Sequence, residues 1–192
     1  MIRSLHLIFL KAQAVALLVL GQRKAALARF DAMLALAPLS RYAMASRAHL
    51  MGELGDKHGA VVGLQALTTA HPGNAAGWFN LGYMLDEMGR YQEAEPAFRR
   101  AIAVEPKMDR AWYGLALLLI RDRRFDEAIE ALTRNTELQP MSPFGWYQLA
   151  RVHVDRQQPE EAVKIIRHLN GFEPKVAAQL ERETGLRIAH SG

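Results

Sequence analysis

Cysteine is absent from the 192-residue chain, which excludes disulfides, thiol nucleophiles and thiolate-held metal clusters. Net charge is small as well: 24 Lys and Arg against 20 Asp and Glu leave +4, too little for the electrostatic footprint of a nucleic-acid binder. Residues 1–74 hold 8 basic and 3 acidic side chains, and a solvated face accounts for such a bias. Long apolar runs are lacking. The best candidate, Leu5–Leu20, is broken by His6, Lys11 and Gln13 and falls short of the roughly 18 unbroken apolar residues of a membrane span. No small-residue cleavage site follows it cleanly, which also disfavours an export signal. A cytoplasmic chain is expected, with membrane association through residues 1–20 as the lesser alternative.

Catalytic patterns are missing too. His6, His49, His58, His71, His153, His168 and His190 show no His-Glu-x-x-His spacing, and no glycine-rich phosphate loop occurs. His153 falls on an apolar helical stripe, where a satisfied core histidine is expected. The carboxylate pairs Asp126–Glu127 and Glu160–Glu161 open helices, where they complement the helix dipole. The Arg121-Asp122-Arg123-Arg124 cluster reads as a solvated corner. The expectation is a non-enzyme with no cofactor and no metal.

What the chain does have is repetition. Pro38, Pro72, Pro106, Pro140 and Pro174 are each 34 residues apart, as are Ala26, Ala60, Ala94, Ala128 and Ala162, and so are Trp78, Trp112 and Trp146. All three sets share one register without insertion, which divides the chain into five units, 7–40, 41–74, 75–108, 109–142 and 143–176. Each unit reads as two amphipathic helices. In the third, Trp78, Leu81, Gly82 and Leu85 form one helical stripe, a turn follows at Gly89, and Ala94, Phe98, Ala101 and Ile102 form a second. Pro106 ends that helix. Ser40, Asn74 and Ser142 stand as caps for the helices that follow, with Pro143 at a first helical position. A lone hairpin cannot bury its stripe, so neighbouring hairpins must stack, small residues such as Gly82, Ala94, Ala116 and Ala128 allowing close approach and Trp and Phe filling the space beside them.

Trp78, Leu81, Gly82, Ala94, Phe98, Ala101 and Pro106 resemble the tetratricopeptide repeat pattern at every key place. The fourth unit follows with Trp112, Leu115, Ala116, Ala128, Leu132 and Pro140, and the fifth with Trp146, Leu149, Ala150, Ala162, Ile166, Leu169 and Pro174. The first keeps Leu10, Ala14, Ala26, Phe30 and Pro38; the second is degenerate, with Met44 and Arg47 in place of the Trp and Leu. The resemblance implies an all-α fold, a right-handed α-solenoid of about five helical hairpins over residues 1–176, followed by a C-terminal capping helix and tail over 177–192.

The resemblance also implies a concave groove, lined by the other face of each first helix, that binds a peptide segment or helix of a partner protein. The residues on that face are Tyr42 and His49, then Phe79, Asn80 and Tyr83, then Arg110, Tyr113 and Leu117, then Phe144, Tyr147, Gln148 and Arg151. A solvated face would not carry so many aromatics, and Tyr and Arg are enriched among interface anchors. The carboxylate clamp of some family members is not implied, because Lys11 and Asn80 are separated by units supplying Ala45, Ser46 and His49. On the first helix the face is more apolar: Ile8, Val15, Leu18 and Val19 need a cover, for which homodimerisation is the preferred account. The expected role is a scaffold or adaptor binding a protein or peptide. The alternatives are a targeting module of a longer glycosyltransferase, sulfotransferase or hydroxylase, and a membrane-tethered assembly factor.

Overall fold

A computed structural model describes residues 2–188, and of Ile2 the backbone alone; residues 189–192 of the expected tail, His190 among them, lie outside the described residues. The described residues form eleven helices and no strand: α1 (Ile2–Val19), α2 (Arg23–Leu36), α3 (Arg41–Glu53), α4 (Lys57–Ala70), α5 (Ala75–Glu87), α6 (Tyr91–Val104), α7 (Asp109–Arg121), α8 (Phe125–Leu138), α9 (Pro143–Asp155), α10 (Pro159–Asn170) and α11 (Pro174–Thr184). They fall into two compact units, Met1–Val104 and Glu105–Gly192. In the first, three hairpins pack in series, α1 on α2, α2 on α3 and so on to α6; in the second, α7 to α10 do the same and α11 packs on both α9 and α10.

The helices inherit the 34-residue period because the residues that make and break them do. Ala26, Ala60, Ala94, Ala128 and Ala162 all have no exposed surface, and beside them Phe30, Leu64, Phe98, Leu132 and Ile166 are at most 2% exposed. In the α5–α6 hairpin a small residue faces a large one across the two helices. At Gly82 a Cβ would lie 2.9 Å from Phe98 Cδ1, so the glycine is the space that the phenyl ring occupies. A second set of small residues, Ala43, Gly77, Ala111 and Gly145, is buried at the start of the first helices. A Cβ on Gly77 would meet Leu67 of the preceding helix at 3.2 Å.

The caps behave unequally. Ser40 Oγ accepts from the Ala43 amide at 3.4 Å and Asn74 Oδ1 from Gly77 at 3.2 Å, but Ser142 makes no side-chain cap bond and Pro143 alone starts α9. Asp56, which the spacing did not single out, caps α4 through Gly59 at 2.8 Å.

The tryptophans do not fill the centre of the hairpins. Trp78, Trp112 and Trp146 are each half-buried, and each Nε1–H donates to the carbonyl of the proline six residues earlier, Pro72, Pro106 or Pro140, at 2.9 Å. The indole thereby ties the loop that precedes a first helix to that helix, satisfying a loop carbonyl. Phe30 and Phe98 hold the interior of the first unit instead, and Leu132 and Ile166 that of the second.

Two departures occur at the ends. Helix α1 begins at Ile2, five residues ahead of the expected Leu7. At the other end α10 stops at Asn170 before Gly171, and α11 begins at Pro174, three residues before Ala177. Val176 stands where Ser40, Asn74 and Ser142 precede their helices and has no capping oxygen, whereas the ring of Pro174 presets a first-turn φ. Leu180 of α11 is fully buried while Gln179, Arg182 and Glu183 are exposed.

The turns inside the hairpins form a further 34-residue set, all with positive φ: Gly21 at 71°, Gly55 at 89°, Gly89 at 72°, Arg123 at 58° and Gln157 at 60°. Only glycine adopts this region without a Cβ penalty. Arg123→Gly should therefore stabilise the second unit by about 0.5–1 kcal/mol, net of the added freedom of the unfolded chain. Thermal melting checks it, and no gain would mean that Arg123 has a compensating contact.

Candidate functional site

In the first unit α3, α4 and α5 enclose a cavity of about 240 Å³. Its floor is Ala48, Gly52, Leu64 and Met84; its rim is His49, Glu53, Lys57, Asn80, Tyr83 and Glu87. Gly52 makes room for the methionine, since a Cβ there would come within 2.7 Å of Met84 Cε. A thioether on such a floor adapts to different apolar shapes. Of the residues expected on this face, His49, Asn80 and Tyr83 come together here. Tyr83 is 51% exposed.

The rim charges are matched in pairs. Lys57 Nζ lies 3.2 Å from Glu87 Oε2, and Glu53 pairs with Arg23 at 3.1 Å and with the imidazole of His49 at 3.5 Å. These pairs are exposed and each stabilises the fold little, but they leave the cavity mouth without a strong field of either sign. The His49–Glu53 wall also borders a second hollow of about 300 Å³ that reaches Leu18, Arg23, Phe30, Ser46 and Leu50.

Two expected residues take other roles. Phe79 stacks on Tyr83 with centroids 6.4 Å apart and packs on Phe98 at 5.9 Å, so it fixes the direction of the Tyr83 ring from behind. Tyr42 packs edge-on against Phe30 at 6.0 Å, with Lys11 Nζ 4.4 Å over its ring. It sits between α1 and α3, away from the cavity.

In the second unit Phe144, 68% exposed, and Tyr147 line a hollow of about 270 Å³ with Pro143 and, from α11, Val176 and Gln179. Tyr147 and Arg151 are already engaged. The Tyr147 hydroxyl donates to Glu183 Oε2 at 2.5 Å, and Arg151 Nη1 lies 3.3 Å from that hydroxyl and 3.5 Å from the same carboxylate. The Tyr147 hydroxyl, and then Gln179 and Arg151, hold the Glu183 carboxyl below the usual carboxylate range. Arg151, expected on the groove face, meets a carboxylate of the chain itself, supplied by α11. Spacing could not show this, because Glu183 belongs to a helix that breaks the register. Arg110 is exposed and Tyr113, Leu117 and Gln148 are half-buried. His153 is half-buried with Nδ1 2.9 Å from Gln158 Oε1.

Met84, Gly52 and Lys57 are cavity residues that the spacing does not single out, whereas Glu87 falls one turn beyond Tyr83 on the expected face. The signal was available only in part, since Met84 stands one residue beyond Tyr83 but Lys57 comes from a second helix. Among the described residues no group of three or more His, Asp or Glu could hold a metal ion, and no helix is long and apolar enough to cross a membrane.

Comparison with known proteins agrees with the hairpin geometry. Two tetratricopeptide repeat family models match the chain, over residues 85–143 and 64–95. Residues 64–143 carry tetratricopeptide repeats. Among solved structures the chain is similar to MamA, with a TM-score of 0.80 at 17% identity, covering 96% of this chain and 98% of that one. It is similar also to YrrB, with a TM-score of 0.75 at 19% identity and 88% of each chain covered. A third is PilF of Pseudomonas aeruginosa, with a TM-score of 0.71 at 19% identity, covering 97% and 96%. No curated protein matches the sequence. At these identities the likeness is one of fold, and the site rests on this chain's own residues.

Proposed function

We propose that this tetratricopeptide protein is a non-enzymatic scaffold or adaptor that holds a segment of a partner protein on the first helices of its hairpins. The observation that carries the reading is the α3–α4–α5 cavity: an apolar, methionine-floored hollow beside a tyrosine kept half exposed by a phenylalanine behind it. Phe79 and Phe98 behind Tyr83 already fill the helix contact, so packing gives no reason to present this ring to solvent. An apolar side chain of the segment enters the hollow, while Asn80 and His49 on the rim bond its backbone. In the second unit the exposed Phe144, with Tyr147 behind it, offers a second platform. The half-buried Tyr113, Leu117 and Gln148 and the exposed Arg110 lie on the first-helix faces of that unit and extend the reading to it. The structure of YrrB is described as that of a protein with an unusual peptide-binding site, which supports the class of ligand but not its sequence.

The reading is tested by affinity purification from the native cell with wild type, Tyr83→Ala and a control, Val62→Ala, at an exposed position of α4. Tyr83→Ala should weaken capture of the specific partner by about 2 kcal/mol, near thirtyfold, while shifting stability by less than about 1 kcal/mol. Equal capture by all three proteins, or a loss in Tyr83→Ala matched by a similar loss of melting temperature, removes the assignment.

A further inference from the structure

We propose that the outer stripe of α1 pairs antiparallel with the same stripe of a second copy of this chain, about a two-fold axis through Ala12. Helix α1 buries Leu10 and Ala14 against its own unit and half-buries Leu7, Gln13 and Leu17. The opposite side is apolar and open: Leu5 is 62% exposed, Ile8 65%, Phe9 60%, Val15 44% and Val19 82%, with Ala12 and Ala16 exposed between them. Ile8, Val15 and Val19 are among the edge residues expected from sequence. Leu18 is not part of the stripe, since it lines the hollow bounded by His49 and Glu53.

The spacing of the stripe identifies its occupant. Positions 5, 8, 9, 12, 15, 16 and 19 follow a heptad seam, and they are symmetric about Ala12: 9 and 15 lie three residues to either side, 8 and 16 four, and 5 and 19 seven. The side chains are not symmetric. The larger ones, Leu5, Ile8 and Phe9, occupy the N-terminal half, and the smaller, Val15, Ala16 and Val19, the C-terminal half. Antiparallel self-pairing sets Phe9 against Val15, Ile8 against Ala16 and Leu5 against Val19, so that every large residue meets a small one. Ala12 meets itself where the backbones must come closest. Parallel pairing would set Phe9 against Phe9 and Ala16 against Ala16, a clash beside a void.

Charge does not oppose the contact. The Arg3 guanidinium donates to the Leu36 carbonyl and Lys11 lies over the Tyr42 ring, so both cations of α1 are held by the chain's own α2 and α3 and the seam carries none. For the same reason the stripe lacks the basic border that a membrane-surface helix presents to anionic lipid. The open apolar side chains offer roughly 600 Å² per copy, about 1,200 Å² for a pair, which reaches the lower end of specific interfaces.

The test uses the natural lack of cysteine, which makes every introduced thiol unique. The full chain should sediment as a dimer at about 100 µM and dissociate on dilution. Under mild oxidation Ala12→Cys should cross-link to itself, Leu5→Cys should not, and a mixture of Leu5→Cys with Val19→Cys should. Phe9→Glu should weaken the dimer at least tenfold with an unchanged helical circular dichroism spectrum, and if that variant unfolds the cysteine pattern still decides. A monomer at the highest concentration overturns the proposal. So does self-cross-linking of Leu5→Cys in preference to Ala12→Cys. Monomeric protein that binds phosphatidylcholine–phosphatidylglycerol vesicles through this stripe, losing them in Phe9→Glu, overturns it as well.

Discussion

Phe98→Ala should lower the unfolding free energy of the first unit by about 3–5 kcal/mol, the range for deleting a buried phenyl ring whose cavity the neighbours cannot close. The ring is 2% exposed and lies against Gly82, a backbone that cannot extend a side chain into the void, and against Phe79 at 5.9 Å. Collapse is therefore limited, and the loss should sit at the upper end of the range. Gly82→Ala tests the same contact from the other side. Helix propensity alone would favour alanine by about 1 kcal/mol, but its Cβ would lie 2.9 Å from Phe98 Cδ1 and 3.0 Å from Cε1. Overpacking of this kind costs about 1–3 kcal/mol, so the net change should be destabilising. In a Phe98→Leu background the ring edge is gone and Gly82→Ala should become neutral or stabilising. A chemical-denaturation double-mutant cycle reads the coupling, and additivity would show that the glycine and the phenyl ring are not complementary.

Gly145→Ala should destabilise the second unit by about 2–3 kcal/mol, again against helix propensity. Position 145 continues the small-residue set of Ala43, Gly77 and Ala111, but its neighbour differs. Opposite it stands Asn135, where the other hairpins carry Met33, Leu67, Ala101 and Leu169. Asn135 is 6% exposed and its Nδ2 donates to the Asp109 carbonyl at 2.9 Å, at the start of α7. A Cβ on residue 145 would overlap Asn135 Oδ1 and lie 3.0 Å from Thr136 Cγ2. The amide can yield only by leaving the Asp109 carbonyl, and an unsatisfied buried polar group costs about 1–3 kcal/mol. Asn135→Ala in the same chain should return part of the loss. If Gly145→Ala melts at or above wild type, the amide is not held as described.

The sequence by itself determined the number of hairpins' worth of helix, their order and most of the small-against-large contacts inside them. Those follow from spacing along one chain: a residue 34 positions on finds the same neighbours, so Ala26 to Ala162 and Phe30 to Ile166 are buried alike. The same period runs through the left-handed turn residues, but Arg123 and Gln157 replace glycine in two of them and hide the set. What only the tertiary structure decided is the partner each residue meets. The tryptophans bond prolines of the preceding loop and leave the interior to Phe30 and Phe98 in the first unit and to Leu132 and Ile166 in the second. Phe79 braces Tyr83 where it was expected to line the groove, and Glu183 occupies Arg151 because α11 starts three residues early. Spacing says which side of a helix a residue is on. Which neighbour it meets there depends on the helix beside it, and at α1 and α11 the repeat no longer specifies that helix.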